Sequence, residues 1–224
     1  MVVAFAFFAL TSPGLAEDAL APVPNAGELQ RLEQSLERNP EDPKLLLELG
    51  QGYHDAATHN QKDAAAKAER FLRKLLALDP RNATARAFLG SVLTLKARDA
   101  LLPTTKLSLA KEGFREMDAA VLQSPDELRP RLIRGLNSIS VPKLFDRLKF
   151  AAEDLEWIHK RPVLTSDYGG RPMRQRVALE YGRVLVRLKN PDNARKVWQV
   201  GVELDPGTTT ADLLRAELKS SGKP

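Results

Sequence analysis

The chain has 224 residues and contains no cysteine, and only 6% of its residues are aromatic. Without cysteine there can be no disulfide, no cysteine-ligated metal, no thiol nucleophile and no lipid-modified cysteine anchor. The apolar residues are mostly Leu, Ala and Val, and they are set among Arg, Glu and Lys, a composition that favours helix over strand. The sequence therefore predicts an all-α chain that is held together by packing.

Signatures of catalysis and of phosphate binding are also missing from the sequence. The histidines are His54, His59 and His159. His54 and His59 are five positions apart, which turns them away from a common helical face, and no glutamate stands between them in a zinc-protease arrangement. No glycine-rich phosphate loop, nucleophile elbow or kinase signature occurs. We therefore expect no enzymatic activity, no metal and no cofactor.

The first residues have the pattern of a secretory signal peptide. An apolar run from Val2 to Leu10 is followed by Pro13 and Gly14, and then by Ala16 before the first acidic residue. The run is too short to span a bilayer, and cleavage is expected after Ala16, although no Lys or Arg precedes the run. The interpretation is a signal peptide at 1–16 and a linker at 17–27. The alternative is an apolar first helix that stays on the mature protein.

Small residues and prolines recur along the rest of the chain. In the clearest copy, Gly182 is followed by Ala194, then by Trp198 four residues on, and Pro206 closes the copy. A glycine inside a helix costs roughly 0.5 to 1 kcal/mol against alanine, so glycines at one recurring register indicate close packing of two helices. Proline ends a helix because it lacks the backbone N–H. The framework positions of the pattern are Gly50, Tyr53, Ala68, Pro80, Gly90, Pro125, Gly135, Gly182, Ala194, Trp198 and Pro206.

This spacing resembles the tetratricopeptide repeat (TPR), a 34-residue unit of two helices with small residues where the helices cross and a closing proline. The resemblance implies an all-α fold, an α-solenoid of about four helix-turn-helix repeats within 28–220, at about 43–82, 83–127, 128–164 and 175–208. A partial repeat would precede them, a capping helix at 209–220 would follow, and 221–224 would be a tail. Longer connections are expected at 99–107 and 140–147, and an irregular connector at 161–172.

Positive charge is concentrated in the second half of the chain. Residues 17–124 carry 15 Lys plus Arg against 16 Asp plus Glu, whereas residues 125–224 carry 19 against 13, a net charge of +6. The TPR resemblance implies that the first helix of each repeat lines a concave groove that holds a partner. The groove positions that we single out by this alignment are Lys44, Gln51, His54, Arg129, Arg176, Arg183 and Arg187.

These observations favour an exported, bacterial type of TPR protein, a non-enzymatic scaffold of the periplasm or cell envelope that binds a partner protein or an acidic peptide in the groove. Simple solvation of the helices by the arginines is an equal interpretation. The alternative function is a structural or assembly accessory that self-associates or contacts a membrane complex through the apolar loop Val141 to Phe145. Nucleic-acid binding is not expected, because the basic half has few aromatics and its tryptophans occupy packing positions.

Overall fold

A computed structural model describes residues 26–161 and 170–221. These residues form ten α-helices and one 3₁₀ turn, and no strand occurs among them. The expected signal peptide, nearly all of the expected linker, most of the expected connector at 161–172 and most of the tail lie outside the described residues. The helices are α1 Ala26–Arg38, α2 Pro43–Thr58, α3 Ala64–Leu78, α4 Ala83–Asp99, α5 Pro103–Gln123, α6 Leu128–Ser140, α7 Leu148–His159, α8 Gly170–Arg187, α9 Pro191–Leu204 and α10 Thr209–Ser220, with the 3₁₀ turn at Lys143–Phe145.

The described residues divide into two compact units, and the division falls inside α6 between Arg134 and Gly135. In the N-terminal unit, α2 packs against α1, α3 and α4, while α4 packs against α3 and α5. In the C-terminal unit, α8 packs against α7, α9 and α10, and α9 also packs against α10. Each unit is therefore built from consecutive helices that pack pairwise, with a first helix of one pair touching the first helix of the next.

The turns between pairs are set by a short local signal, in which a proline stands two residues before the N-cap of the next helix. After Pro80, the side chain of Asn82 accepts a hydrogen bond from the Ala85 backbone N–H at 2.9 Å. After Pro206, the Thr208 hydroxyl accepts from the Ala211 N–H at 3.0 Å. A proline followed by a cap satisfies otherwise unpaired N–H groups and begins the next helix at a defined residue. The same arrangement follows Pro40, where Asp42 caps α2.

The centre of the N-terminal unit is α4, which is buried along most of its length. Gly90 of α4 and Gly113 of α5 lie directly against each other, so that a Cβ on Gly90 would meet the Gly113 carbonyl oxygen at 2.5 Å. The contact is reciprocal, because a Cβ on Gly113 would meet the Gly90 carbonyl oxygen at 2.5 Å. The two backbones approach so closely that neither position has room for a side chain.

In the C-terminal unit a large aromatic side chain fills the space that glycine leaves. A Cβ on Gly182 of α8 would fall on the indole ring of Trp198 from α9. Trp198 is fully buried, and its Nε1 donates a hydrogen bond to the Leu179 carbonyl oxygen at 3.1 Å. The glycine therefore makes room for a ring that both fills the core and satisfies its own polar atom.

The remaining framework positions divide into buried and exposed sets. Tyr53, Ala68 and Ala194 are buried, and Gly50 and Gly135 face Leu72 and Asp154 of the next helix. The prolines at the repeat boundaries, which are Pro80, Pro125 and Pro206, are exposed.

Two helices begin earlier than the sequence pattern suggested. The described part of α8 starts at Gly170, although the sequence predicted a connector as far as 172 and a repeat from 175. Pro172 is accepted there because it lies in the first turn, where a proline costs no helical hydrogen bond. For the same reason Pro103 begins α5 inside the expected connection at 99–107.

Candidate partner-binding surface

The seven predicted groove residues belong to both units. Lys44, Gln51 and His54 lie on α2, and Arg129 lies in the first turn of α6, all within the N-terminal unit. Arg176, Arg183 and Arg187 lie on α8 in the C-terminal unit. The structure therefore gives two surfaces, which are described separately.

In the N-terminal unit, His54 is the centre of a polar contact between α2 and α4. Its Nε2 lies 2.9 Å from the Ser91 hydroxyl oxygen of α4, and its Nδ1 lies 2.9 Å from the Asp55 carboxylate. The ring also meets Phe88 edge-on, with 5.1 Å between the ring centroids. His54 therefore joins neighbouring first helices, a role that the sequence pattern did not predict.

The order of atoms in this contact is that of a serine, histidine and aspartate triad. Ser91 is buried in the middle of α4, where backbone N–H groups are already donated to carbonyl groups four residues earlier. Acyl transfer also needs donors aimed at a developing oxyanion, and a mid-helix serine does not supply its own N–H for that purpose. The arrangement is therefore better suited to holding α2 against α4 than to catalysis.

The other three predicted groove residues of the N-terminal unit differ in how exposed they are. Lys44 is exposed in the first turn of α2. Gln51 is half-buried, and its side-chain Nε2 is buried with no hydrogen-bond partner among the described residues. A buried amide donor without a partner costs free energy in the protein. Arg129 is half-buried.

In the C-terminal unit, charged side chains form a stripe on α8. Arg176, Glu180, Arg183 and Arg187 recur at spacings of four, three and four residues, which places them along one face of the helix. That face differs from the one that meets α9, to which Gly182 and the buried Gln175 belong. We call these four residues the α8 stripe.

The stripe is already partly neutralised by carboxylates. Arg183 donates to Glu180 at 3.1 Å and, from Nε, to Glu217 of α10 at 2.7 Å. Burial lowers the pKa of Arg176; Glu180 acts in the opposite direction, and Arg183 adds to the lowering. An arginine stays charged under such shifts. The three arginines of the stripe therefore face two carboxylates, Glu180 in the stripe itself and Glu217 of α10.

Arg187 is the most accessible cation of the α8 stripe. It is exposed at the end of α8, and its Nη1 donates to the Ile139 carbonyl oxygen of α6 at 2.9 Å. A guanidinium group has five N–H donors, and this contact uses one of them. Arg187 therefore offers a bidentate donor edge that is held in place by α6.

The other polar groups of the C-terminal unit serve the packing of α8. The Gln175 amide is buried and donates to the Asp205 carbonyl oxygen at 2.7 Å, while its oxygen accepts from the Thr208 hydroxyl at 2.8 Å. Gln175 thereby holds the turn between α9 and α10.

Burial lowers the pKa of His159, and the nearby Arg174 adds to this effect. His159 packs against Tyr181, whose pKa is raised chiefly by burial.

The described residues show neither a metal-binding cluster nor a membrane-spanning helix. No group of three or more His, Cys, Asp or Glu side chains among them is arranged to hold a metal ion. Among the same residues, no helix combines the length and the apolar character that crossing a membrane requires.

Comparison with known proteins identifies the fold. No protein-family profile matches the sequence, and no curated protein matches it either. The crystal structure of a thermophilic TPR protein from Thermus thermophilus is similar, with a TM-score of 0.61 over 87% of this chain and 88% of that one. The two sequences are 17% identical, so the likeness is one of fold. The resemblance inferred from the repeat spacing is therefore confirmed at that level, and the chain is an all-α protein with a TPR-type solenoid fold.

Proposed function

We propose that the protein is a non-enzymatic scaffold of the bacterial periplasm or cell envelope that binds a partner protein or an acidic peptide on the first helices of its repeats. The fold supports protein binding in general, because arrays of paired helices use their extended surfaces to hold other chains. The observation that carries the choice of an acidic partner is the α8 stripe, with its excess of arginine.

Within the α8 stripe, Arg187 is the proposed anchor. Arg183 already shares its charge with Glu180 and Glu217, so an incoming carboxylate must compete with both. Arg176 is half-buried, which leaves it less contact with a docked chain than the exposed Arg187 has. Arg187 is exposed and fixed by the Ile139 carbonyl group, and a fixed guanidinium binds a carboxylate with two parallel hydrogen bonds.

The experiment is to titrate a fluorescent glutamate-rich peptide with the purified chain and follow its anisotropy. Arg187→Gln should weaken binding about tenfold, the loss expected for one charge-assisted contact. Arg183→Gln should have a smaller effect, and Arg195→Gln, an exposed arginine on α9, should have none. If Arg187→Gln and Arg183→Gln both bind the peptide as tightly as the wild type does, the assignment of the α8 stripe is wrong.

The proposed compartment has its own test. Mass spectrometry of the protein recovered from bacterial periplasm should find Glu17 at the N-terminus, as expected for cleavage after Ala16. Recovery of the intact N-terminus from the cytosol would contradict export without affecting the fold or the α8 stripe.

A second candidate function, an assembly accessory that acts through residues 141–145, is favoured by one side chain. Leu144 is 68% exposed, whereas Val141 is buried and Phe145 is half-buried. The apolar surface of this loop is therefore a single leucine rather than the whole segment. Self-association would be seen as a dimer in light scattering that Leu144→Ser dissociates.

A further inference from the structure

Exposed apolar side chains collect at one end of the C-terminal unit. Leu144 follows α6 in the 3₁₀ turn, and Leu188 follows the last residue of α8, with 68% and 44% of their surfaces exposed. Val186, in the last turn of α8, is 41% exposed. The hydrogen bond from Arg187 to the Ile139 carbonyl oxygen brings the C-terminal ends of α6 and α8 together. The two loops that follow these ends therefore belong to the same edge.

Lysines stand beside two of these apolar residues. Lys143 and Lys189 are exposed and are the direct sequence neighbours of Leu144 and Leu188. We call Lys143, Leu144, Val186, Leu188 and Lys189 the loop edge. Lys189 has a positive φ of 63°, which ends α8 and turns the chain toward α9. Two carboxylates are near in sequence, Asp146 and Asp192; Asp146 pairs with the exposed Lys149 at 3.2 Å.

We propose that the loop edge binds the surface of an anionic lipid bilayer. Aliphatic side chains enter the boundary between headgroups and acyl chains, and lysine ammonium groups remain among the phosphates. Each lysine near an anionic surface strengthens binding about fivefold, and the effect falls off within a Debye length. This surface adjoins the partner-binding face proposed for α8, because Arg187 stands between Val186 and Leu188, and it adds a lipid ligand to the protein.

A bilayer fits this edge better than a second protein does. A specific protein interface takes about 20–30 residues from each side, with a shape that matches the partner. The loop edge supplies three aliphatic side chains, two on separate loops and one in the last turn of α8, which is too few for such an interface. A lipid surface is deformable, so a few protruding side chains with flanking cations are sufficient for reversible binding.

The test is co-sedimentation of the purified full chain with two kinds of vesicle, phosphatidylcholine alone and phosphatidylcholine mixed with phosphatidylglycerol. The wild type should bind the mixed vesicles and bind the neutral vesicles at least about tenfold more weakly. Leu144→Ser with Leu188→Ser, and separately Lys143→Glu with Lys189→Glu, should each reduce binding to the mixed vesicles about tenfold. All variants should keep the helical circular dichroism of the wild type.

The matched control is Val200→Ser, which removes from α9 in the same unit an aliphatic side chain that is 44% exposed, as Leu188 is. It should bind the mixed vesicles like the wild type. The proposal is overturned if the wild type does not sediment with the mixed vesicles, or if the loop-edge variants behave like Val200→Ser. It is also overturned if light scattering shows a dimer that the leucine variant dissociates, because a second copy would then cover the edge. None of these results depends on the acidic-peptide titration.

Discussion

The two units differ in the residues that fill the contact between paired helices. In the N-terminal unit, Gly90 and Gly113 bring two backbones into direct contact. In the C-terminal unit, Gly182 makes room for the Trp198 ring. The links between neighbouring first helices differ as well, since His54 meets a serine hydroxyl whereas Arg183 meets a carboxylate. The shared repeat framework therefore sets where the helices pack, while the residue types that make the contacts differ between the two units.

The largest effects are expected at the glycine contacts. Gly90→Ala and Gly182→Ala should each lower the free energy of unfolding by about 2–3 kcal/mol, because the new methyl group overlaps atoms that already fill the space. Gly207→Ala, in an exposed turn with its nearest atom at 4.0 Å, is the matched control and should cost much less. Urea unfolding followed by circular dichroism measures all three.

A second substitution in each unit should distinguish the backbone-to-backbone contact at Gly90 from the backbone-to-ring contact at Gly182. In a Trp198→Leu background, Gly182→Ala should become much less costly, because the ring that it meets is gone. In a Met117→Ala background, Gly90→Ala should stay costly, because the Gly113 carbonyl oxygen remains in place. A double-mutant cycle gives each coupling free energy. Equal couplings in the two cycles would show that the units do not differ in this way.

The links between first helices should differ in their response to salt. Glu217→Gln should lower the free energy of unfolding by about 0.5–1 kcal/mol at low ionic strength, and the difference should shrink in about 1 M salt. Ser91→Ala removes the hydrogen bond between His54 and an uncharged hydroxyl group and should cost about 1 kcal/mol at either salt concentration. Thermal unfolding at both concentrations is the measurement. A loss for Ser91→Ala that disappears in salt would contradict the comparison.

The smallest effect is expected from protonation of His159. Its pKa in the folded protein is lowered by burial, so the unfolded chain binds the proton more readily. The stabilisation is present above the ordinary histidine pKa of 6.5 and is lost as the pH falls through and below that value. His159→Gln should therefore reduce the acid sensitivity of unfolding, and the exposed His59→Gln should not.

Fluorescence makes that last measurement specific to one unit. Both tryptophans of the chain, Trp157 and Trp198, lie in the C-terminal unit, whereas circular dichroism reports both units. Following tryptophan emission against pH therefore reports the acid unfolding of the unit that contains His159. Identical acid profiles for the wild type and His159→Gln would remove His159 as the cause.

The fold could be predicted from the sequence because its signals are local and recur. A glycine inside a helix and a proline at its end each carry a free-energy cost that only a particular structure offsets, so their repetition at Gly50, Gly90 and Gly182 is informative. The sequence pattern places the start of α8 too late, because Gly169, Gly170 and Pro172 are typical of a connector, whereas proline is also compatible with a first helical turn.

The candidate site was harder to predict because its contacts join different repeats. The sequence predicts Arg183 as a groove cation, but its partner Glu217 is 34 positions away, and the partner of His54 is 37 positions away. A signal did exist, since residues one repeat apart lie at the same level of neighbouring helices. Lys67 and Glu33, also 34 positions apart, form another such pair at 3.3 Å. Searching for opposite charges one period apart would have found both ion pairs.

The short signal of a proline followed by a capping residue has a consequence for how the chain folds. Asn82 and Thr208 begin their helices through bonds to residues three positions ahead, so these helix starts require no distant part of the chain. Contacts between residues close in sequence form quickly, and each helix pair can act as a nucleus from which order spreads to its neighbours. Folding intermediates with one unit formed and the other still open are the expected signature of a chain whose boundaries are encoded in this way.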